Sequence, residues 1–221
     1  MCLGLALGVI LLWAAPTLAP ERCFAATLDP ERDMIPPAAP HTPAPPGRVL
    51  FSEDFSDTSL ARWHSDRDRV WSVRGRMLRA DLPDGKQQRA FLYAGSEEWS
   101  DYAVDLDVFA VRGVDKGVVV RVKDEAGVGI DLRGSGYEDV LLYRSQLRLG
   151  RARVVNANGQ WHHVRIEAVG NRYRVFVDGT LVLDRHDLGN GRPRGKIALP
   201  AYTGGSGECT LFYDNIVVTA L

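Results

Sequence analysis

The sequence predicts an all-β domain built as a sandwich of two antiparallel sheets. Apolar side chains recur at every second position in several segments, as in Tyr102–Val108 and Tyr173–Val177, and this alternation is typical of strands with one face on a core and one toward water. Glycine-containing turn signals such as Asn158-Gly159 and Asp178-Gly179 separate the segments. No long segment has helical periodicity, so we expect about a dozen short strands and few helices.

Length and composition fit one domain with appendages. The chain has 221 residues, of which 45% are hydrophobic and 25% are charged, as in ordinary globular proteins. Its 27 Lys and Arg residues are scattered among 28 Asp and Glu residues, which gives a formal net charge of −1. Because no basic stripe exists, the composition argues against a nucleic-acid partner and against binding to an anionic membrane surface.

The N-terminal segment is typical of a secretory signal peptide. An uncharged apolar run over Leu3–Ala15 is too short to span a bilayer, and a small-residue cleavage pattern follows at Cys23-Phe24-Ala25. We therefore predict a signal peptide over residues 1–25 and export to the periplasm, cell envelope or medium, with no membrane span in the mature chain. No Lys or Arg precedes the run, and a buried N-terminal helix is the alternative.

Residues 26–48 contain seven prolines. Proline fixes φ and removes a backbone donor, so this segment is predicted to be an extended linker. The alternative is an arm that lies across the sandwich. The folded domain is then expected to cover residues 49–221, with Cys209 as its one cysteine, a small buried hydrophobe without a disulfide partner.

Five segments form a pattern when taken in order: Trp71–Leu78, Tyr102–Val104, Gly117–Arg121, Trp161–Ile166 with Val177–Gly179, and Phe212–Ile216. In this order they resemble motifs of laminin-G-like and 3-keto-disaccharide hydrolase-like domains. The resemblance covers Val49–Leu221 and implies a sandwich of the concanavalin A-like lectin/glucanase superfamily, a curved jelly roll. Similar domains include sugar-binding modules, adhesion-type modules and hydrolases acting on glycosides, so the fold alone does not fix the function.

The catalytic signatures of the related enzymes are incomplete. Family 16 glycoside hydrolases carry a Glu-x-Asp-x-x-Glu run, because two carboxylates must flank the scissile bond. The nearest match here, Asp105-Leu106-Asp107, lacks both glutamates. The Gly136-Tyr137-Glu138 segment is similar to one in 3-keto-disaccharide hydrolase-like domains, but Val140 stands where they usually have Gln. We therefore expect no retaining glycosidase chemistry of the family 16 type, whereas catalysis of the 3-keto-disaccharide hydrolase-like type stays an alternative.

Strand alternation predicts a candidate ligand-binding surface. If Val118 and Val120 face the core, the side chain of Arg121 points outward. The same alternation places Asp131 and Tyr143 on the outer face of neighbouring strands. A guanidinium, a carboxylate and an aromatic ring suit the hydroxyls and CH faces of a saccharide. Tyr137 and Glu138, in the loop between these strands, complete the predicted site. The alternative is cross-strand pairing on a solvated sheet face.

Three carboxylates are candidate ligands of a structural calcium ion. Glu53 and Asp54 follow the first strand, and Asp214 lies in the last one. In related sandwiches acidic residues at these places hold calcium, which takes six to eight oxygen ligands. The alternative is that Asp214 hydrogen-bonds a neighbouring loop.

Together these observations predict an exported, monomeric, non-catalytic module that binds an oligo- or polysaccharide. One alternative is a glycoside-active hydrolase of the 3-keto-disaccharide hydrolase-like type. The other is an adhesive or structural module that binds protein at the cell envelope.

Overall fold

A computed structural model describes residues 35, 36, 38, 47–134, 136–189 and 191–221. Over these ranges the chain forms strands and turns with no α-helix, which confirms the predicted all-β sandwich. A helix long and apolar enough to cross a membrane is likewise absent from them. The signal peptide predicted over residues 1–25 lies outside the described residues, as does most of the linker predicted over residues 26–48.

The described residues form strands in the following chain order: β1 (Val49–Glu53), β2 (Trp63–Ser65), β3 (Trp71–Arg74), β4 (Met77–Leu82), β5 (Arg89–Ala94), β6 (Tyr102–Arg112), β7 (Asp115–Lys123), β8 (Ala126–Arg133), β9 (Asp139–Arg144), β10 (Leu147–Arg153), β11 (Trp161–Val169), β12 (Arg172–Val177), β13 (Thr180–His186), β14 (Lys196–Tyr202) and β15 (Cys209–Ala220).

Two sheets make the concanavalin A-like jelly roll. An eight-stranded sheet has the order β13-β12-β11-β6-β15-β4-β3, and β1 pairs with the far end of β15. A seven-stranded sheet has the order β10-β9-β8-β7-β14-β5-β2. All of these pairings are antiparallel.

The core fills the space between the inner faces of the two sheets. Alternate residues of β6, including Val104, Leu106 and Val108, are fully buried there. Ile130 of β8 and the predicted small hydrophobe Cys209 are buried in the same cluster. Because burial raises the pKa of the Cys209 thiol to about 12, this thiol is not a nucleophile at neutral pH.

A β-bulge in β7 corrects one prediction. The register with β8 shifts between Val120 and Lys123, and Arg121 has a φ of 54°. The extra residue reverses the alternation, so Val122 lies on the outer face with Val119, whereas Arg121 is 0% exposed. The predicted outward orientation of Arg121 is therefore wrong, because it assumed an unbroken strand.

The arm before the domain contacts the outer face of the eight-stranded sheet. Ile35 is buried there in a small apolar cluster. The Trp161 Nε1–H group donates a hydrogen bond to the carbonyl oxygen of Pro36, with an N···O distance of 2.6 Å. The other members of the cluster are Met77, Phe109 and Phe212. At Ile35 and Pro36 the chain therefore lies on the sandwich, as in the alternative to an extended linker.

The same outer face also carries a network of ion pairs along β6 and β11. His163 lies between Asp105 and Asp107, at N···O distances of 3.4 and 2.9 Å. Arg165 bridges Asp105 and Glu167. Charges in this network are thus paired with one another across neighbouring strands.

Candidate functional site

A groove of about 440 Å³ opens on the outer face of the seven-stranded sheet. Its walls come from β5, β7, β8, β9 and β14, the five central strands of that sheet, and from Arg148 of the edge strand β10. Its volume falls within the range of small-molecule sites, which is about 300–1,000 Å³. The groove combines an apolar end with a polar end.

The floor of the groove is shaped by Gly129 and Tyr143. These residues are direct partners in the β8–β9 pairing. A Cβ atom at Gly129 would lie 2.5 Å from Cζ of Tyr143 and 2.6 Å from its Oη. Because glycine has no side chain there, the half-buried ring of Tyr143 lies down on the sheet and offers an aromatic surface to the groove.

The apolar end lies between β5, β7 and β14. Tyr93, Val119, Val122 and Ala198 form a cluster that is separate from the main core, and Phe91 packs against it. Val122 belongs to this cluster only because of the bulge at the preceding residue. An apolar wall with aromatic edges is typical of sites that accept a sugar ring or another small molecule with apolar faces.

The polar end holds two carboxyl groups that are hydrogen-bonded to each other, those of Asp115 and Asp131. Asp131 pairs directly with Gly117, so its side chain extends over a position without a side chain. Asp115 stands two residues earlier on β7, and alternation puts it on the same face. The two carboxyl groups are therefore diagonal neighbours across β7 and β8.

Burial raises the pKa of both carboxyl groups, and it raises that of Asp131 further. For Asp131 the negative charge of Asp115 and the hydrogen bond between the two side chains add to the effect of burial. For Asp115 the same hydrogen bond and the positive charge of Arg133 act against burial. Two neighbouring carboxyl groups do not both ionise readily, and Asp131 is the one whose charged form is disfavoured more.

Cations lie around this pair. The guanidinium of Arg89 lies over the ring of Tyr202, 4.5 Å from its centroid, and its charge lowers the pKa of Asp115. Lys116 is buried, and this burial lowers its pKa to about 8 against the opposing effect of the two aspartates. Its Nζ donates hydrogen bonds to the backbone and side-chain oxygens of Asn156 at 3.1 and 2.8 Å. Lys116 thus connects the start of β7 to the loop that contains Asn156.

Arg121 lies outside the groove and ties the bulge to other loops. Its guanidinium donates hydrogen bonds to the carbonyl oxygens of Arg192 at 2.9 Å and Ala168 at 3.0 Å. It also bonds the carboxylate of Asp101 at 3.0 Å. The structure thus brings Asp131 and Tyr143 together as expected, but it separates Arg121 from them and gives it structural partners.

Tyr137 and Glu138 also lie apart from the groove, in the loop between β8 and β9. Tyr137 is 50% exposed and packs under the guanidinium of Arg133, 4.2 Å from the ring centroid. The carboxylate of Glu138 lies 3.7 Å from the guanidinium of Arg153. Neither residue lines the groove, and a role for them in ligand binding stays a prediction.

The carboxylates predicted to hold calcium make hydrogen bonds within the chain. The carboxylate of Glu53 accepts one hydrogen bond from the backbone N–H of Phe55 at 3.2 Å and another from the Nε1–H of Trp63 at 3.4 Å. Asp214 accepts from the neighbouring backbone N–H of Asn215, and burial raises its pKa to about 6. In the ranges that the structure covers, no three His, Cys, Asp or Glu side chains converge to hold a metal ion.

The sequence analysis missed Asp115, and strand alternation could have found it. Asp115, Gly117 and Val119 alternate along β7, and Gly117 is the cross-strand partner of Asp131. The signal needed was the register between β7 and β8, which two isolated strand predictions do not supply.

Solved structures with the same fold include sugar-binding proteins. Carbohydrate binding module CBM66 from Bacillus subtilis superposes with a TM-score of 0.61 and 15% identity, covering 72% of this chain and 96% of that module. The exoplasmic/lumenal domain of VIP36, in its Ca2+/Man3GlcNAc-bound form, has a TM-score of 0.59 and 11% identity over 77% of this chain and 88% of that domain.

A protein described as a hydrolase has the same fold. A putative glycosyl hydrolase from Parabacteroides distasonis superposes with a TM-score of 0.57 and 19% identity, covering 77% of this chain and all of that one. At these identities the likeness shows the fold alone, a sandwich of two antiparallel β-sheets. No curated protein matches the sequence.

The sequence matches the model of one known protein family over almost all of the folded domain. The match covers residues 50–219, which run from β1 to the end of β15 and include every wall of the groove. The chain therefore belongs to the 3-keto-alpha-glucoside-1,2-lyase-like domain family.

Proposed function

We propose that the groove on the seven-stranded sheet binds a saccharide. The observation that carries the proposal is the position of the Tyr143 ring beside the Asp115–Asp131 pair in one groove. Sugar rings pack their CH faces on aromatic rings, and their hydroxyls need hydrogen-bonding groups next to that surface. Both are provided here by neighbouring strands of one sheet.

The opposite face of the molecule is less suited to a ligand. At one end of the eight-stranded sheet Ile35 covers the apolar cluster around Trp161. Along β6 and β11 the charged side chains of Asp105, Arg165 and Glu167 pair with one another. A ligand would have to displace these contacts, whereas the groove needs no such rearrangement.

An enzyme acting on the bound glycoside is the second candidate function. A non-catalytic module was expected because no Glu-x-Asp-x-x-Glu run exists, but that expectation did not include Asp115. The specific observation in favour of an enzyme is that Asp115 and Asp131 line the groove together and that burial raises the pKa of both, since perturbed carboxyl groups in a groove are candidates for proton transfer. The family description, which names a lyase, also supports this candidate.

We further propose that the chain is exported. Support comes from the apolar run over Leu3–Ala15 and the cleavage pattern that ends at Ala25, and the similar VIP36 domain is described as exoplasmic or lumenal. N-terminal sequencing of protein from the native host should then begin at Ala26. A mature protein that retains Met1 would contradict export by this signal.

Calcium binding by Glu53, Asp54 and Asp214 stays a prediction. The solved VIP36 domain in its Ca2+-bound form gives it some support. Calcium that binds the folded state alone would raise the melting temperature, and a chelator would reverse the rise. If neither calcium nor the chelator changes the melting temperature, the three carboxylates have hydrogen-bonding roles only.

A glycan array probed with the full chain tests the central proposal. We expect binding to a subset of oligosaccharides, and each hit is then incubated with protein to detect released product. Binding without product supports a module, and product supports an enzyme. A folded protein that binds no glycan on the array would contradict saccharide binding and favour an adhesive protein-binding module.

A further inference from the structure

A single line of cross-strand partners runs across the outer face of the seven-stranded sheet. The adjacent strands β5, β14, β7, β8, β9 and β10 contribute one residue each to this cross-sheet line. Its members, in order, are Tyr93, Ala198, Val119, Gly129, Tyr143 and Arg148. Because neighbouring strands lie about 4.8 Å apart, the line is about 24 Å long. It is longer than one sugar ring, so an oligosaccharide that crosses the strands can follow it.

The side chains along the cross-sheet line are small in the middle and aromatic towards the ends. Ala198, Val119 and Gly129 project little from the sheet, whereas Tyr93 and Tyr143 border the groove with aromatic rings. Such rings are flat apolar surfaces on which the CH faces of sugars pack. The line therefore offers a surface for a sugar ring towards each end.

Arg148 ends the cross-sheet line on the edge strand β10, where its exposed side chain borders the groove. The other two arginines of β10 have carboxylate partners. Arg151 is paired with Asp139, and Arg153 is paired with Glu138. Within the part of the chain that the structure describes, Arg148 has no ion-pair partner. Its guanidinium group is therefore available to a ligand in the groove.

The chemistry of this end of the groove fits an anionic substituent. A guanidinium group binds a carboxylate or a sulfate through two parallel hydrogen bonds. Ser145 and Gln146, in the turn before β10, line the same groove and add hydroxyl and amide donors. Tyr143 is the direct cross-strand partner of Arg148. A sugar ring that packs on Tyr143 thus has its substituents next to the guanidinium group.

The two aspartates of the groove lie away from Arg148. Asp131 stands on β8 and Asp115 on β7, two and three strands from β10. These separations correspond to about 10 and 14 Å across the sheet. Both exceed the Debye length of about 8 Å at physiological salt. The aspartates therefore repel an anion bound at Arg148 only weakly.

The opposite end of the cross-sheet line suits an anion less well. Burial raises the pKa of Tyr93 to about 12, and the negative charges of Asp66 and Glu125 add to the effect. The Lys196 ammonium group lies 5.6 Å from the centroid of the Tyr93 ring, but it is paired with the carboxylate of Glu97 at 3.1 Å. An anionic substituent is thus favoured at Arg148 and disfavoured at Tyr93.

We propose that the groove binds an anionic oligosaccharide, with a sugar ring on Tyr143 and the carboxylate or sulfate group of that sugar on Arg148. This inference rests on the proposed function, because it requires a saccharide in the groove. It adds the class of saccharide and the residue that selects it.

The test uses the full chain and pairs of glycans that differ only in one kind of charged group. A glycan array carries such pairs, among them tetragalacturonate with its methyl ester and a chondroitin 4-sulfate tetrasaccharide with its desulfated form. The first pair reports on a carboxylate and the second on a sulfate. Calorimetry then measures the affinity of each pair that binds, at low and at high salt.

Three variants accompany the wild type. Arg148→Gln removes the charge, and Arg148→Lys keeps the charge but loses the planar fork of donors. Arg153→Gln is the matched control, because Arg153 is an exposed arginine of the same strand that does not line the groove.

We expect the more anionic member of a pair to bind more tightly, with an affinity that falls as salt is raised. Arg148→Gln should weaken that member at least about 10-fold, the scale for losing a hydrogen bond to a charged group, and leave the other member unchanged. Arg148→Lys should keep part of the preference, and Arg153→Gln should bind like wild type.

Three results would overturn the inference. Equal binding of both members, or a preference for the less charged one, would reject the anionic class and leave saccharide binding in place. A preference that persists in Arg148→Gln, or that Arg153→Gln removes, would place recognition of the charge outside the groove. Failure of the wild type to bind any glycan on the array, charged or neutral, would overturn this inference together with the proposed function.

Discussion

The hydroxyl group of Tyr102, on the eight-stranded sheet, accepts a hydrogen bond from the backbone N–H of Arg121, on the seven-stranded sheet, at 2.6 Å. The same hydroxyl donates to the carbonyl oxygen of Gly195 at 3.0 Å. It thus ties the bulge of β7 to the start of β14. The bulge moves Val122 to the outer face, where it forms part of the groove wall.

Arg121→Ala is expected to destabilise the fold and not to remove ligand contacts. The substitution deletes a buried guanidinium that satisfies Asp101 and the carbonyl oxygens of Ala168 and Arg192. Breaking a buried charged network of this kind costs about 3–5 kcal/mol, which urea unfolding would measure. Arg194→Ala, which removes an exposed partner of Glu98, should cost less than about 1 kcal/mol. Equal losses in the two variants would contradict the structural role of Arg121.

The bulge also explains why sequence alone misplaced Arg121. Alternation correctly assigned the inner residues of β6 and the outer positions of Asp131 and Tyr143, because those strands run without interruption at these points. In β7 the break depends on contacts that are distant in sequence. Gly195 is one of them, since a Cβ there would lie 2.2 Å from the carbonyl carbon of Arg121.

Of the two carboxyl groups in the groove, the sequence predicted Asp131 and not Asp115, for a similar reason. Asp131 was identified from the alternation within β8, but its partner Asp115 could be found only from the register of two strands. Register is set by turns and by core packing, which a single strand pattern does not encode. The fold was therefore easier to predict than the composition of the site.

Tyr143→Ala should weaken saccharide binding at least about 10-fold, or about 1.4 kcal/mol. The reason is the loss of the aromatic surface on the groove floor, and calorimetry with a glycan hit would measure it. Tyr137→Ala, which removes an exposed aromatic ring beyond the groove, is the matched control and should bind like wild type. The reverse pattern would instead support the loop site predicted from the sequence.

Gly129→Ala should reduce binding while the protein remains folded. A methyl group at this position would overlap the ring of Tyr143, and the ring is expected to swing into the groove because it is the movable partner. Near-UV circular dichroism would report the changed environment of the ring, and calorimetry the lost affinity. Unchanged affinity with a displaced ring would mean that the sugar does not pack on Tyr143.

Stability should fall between neutral and alkaline pH because of His163. Burial lowers the pKa of its imidazole, but the hydrogen bonds and charges of Asp105 and Asp107 outweigh burial and raise it to about 9. Since the folded-state pKa exceeds the unfolded value of 6.5, the stabilisation is complete below pH 6.5 and is lost as the pH rises through 9. The shift corresponds to on the order of 3 kcal/mol.

Urea unfolding of wild type and His163→Gln across this pH range would measure the effect of the imidazole. The variant should lose the part of the pH dependence that lies between 6.5 and 9. A variant whose stability varies with pH as the wild type does would show that other groups cause the change.

The most direct measurement of the central claim is a map of backbone amide chemical shifts during titration with a glycan from the array. If the groove binds the saccharide, the largest changes fall on its walls, at Val119, Asp131, Tyr143 and Ala198, while the outer face of the eight-stranded sheet around Arg165 stays unchanged. Changes centred on that opposite face, or on the loop at Tyr137, with none in the groove, would contradict the account.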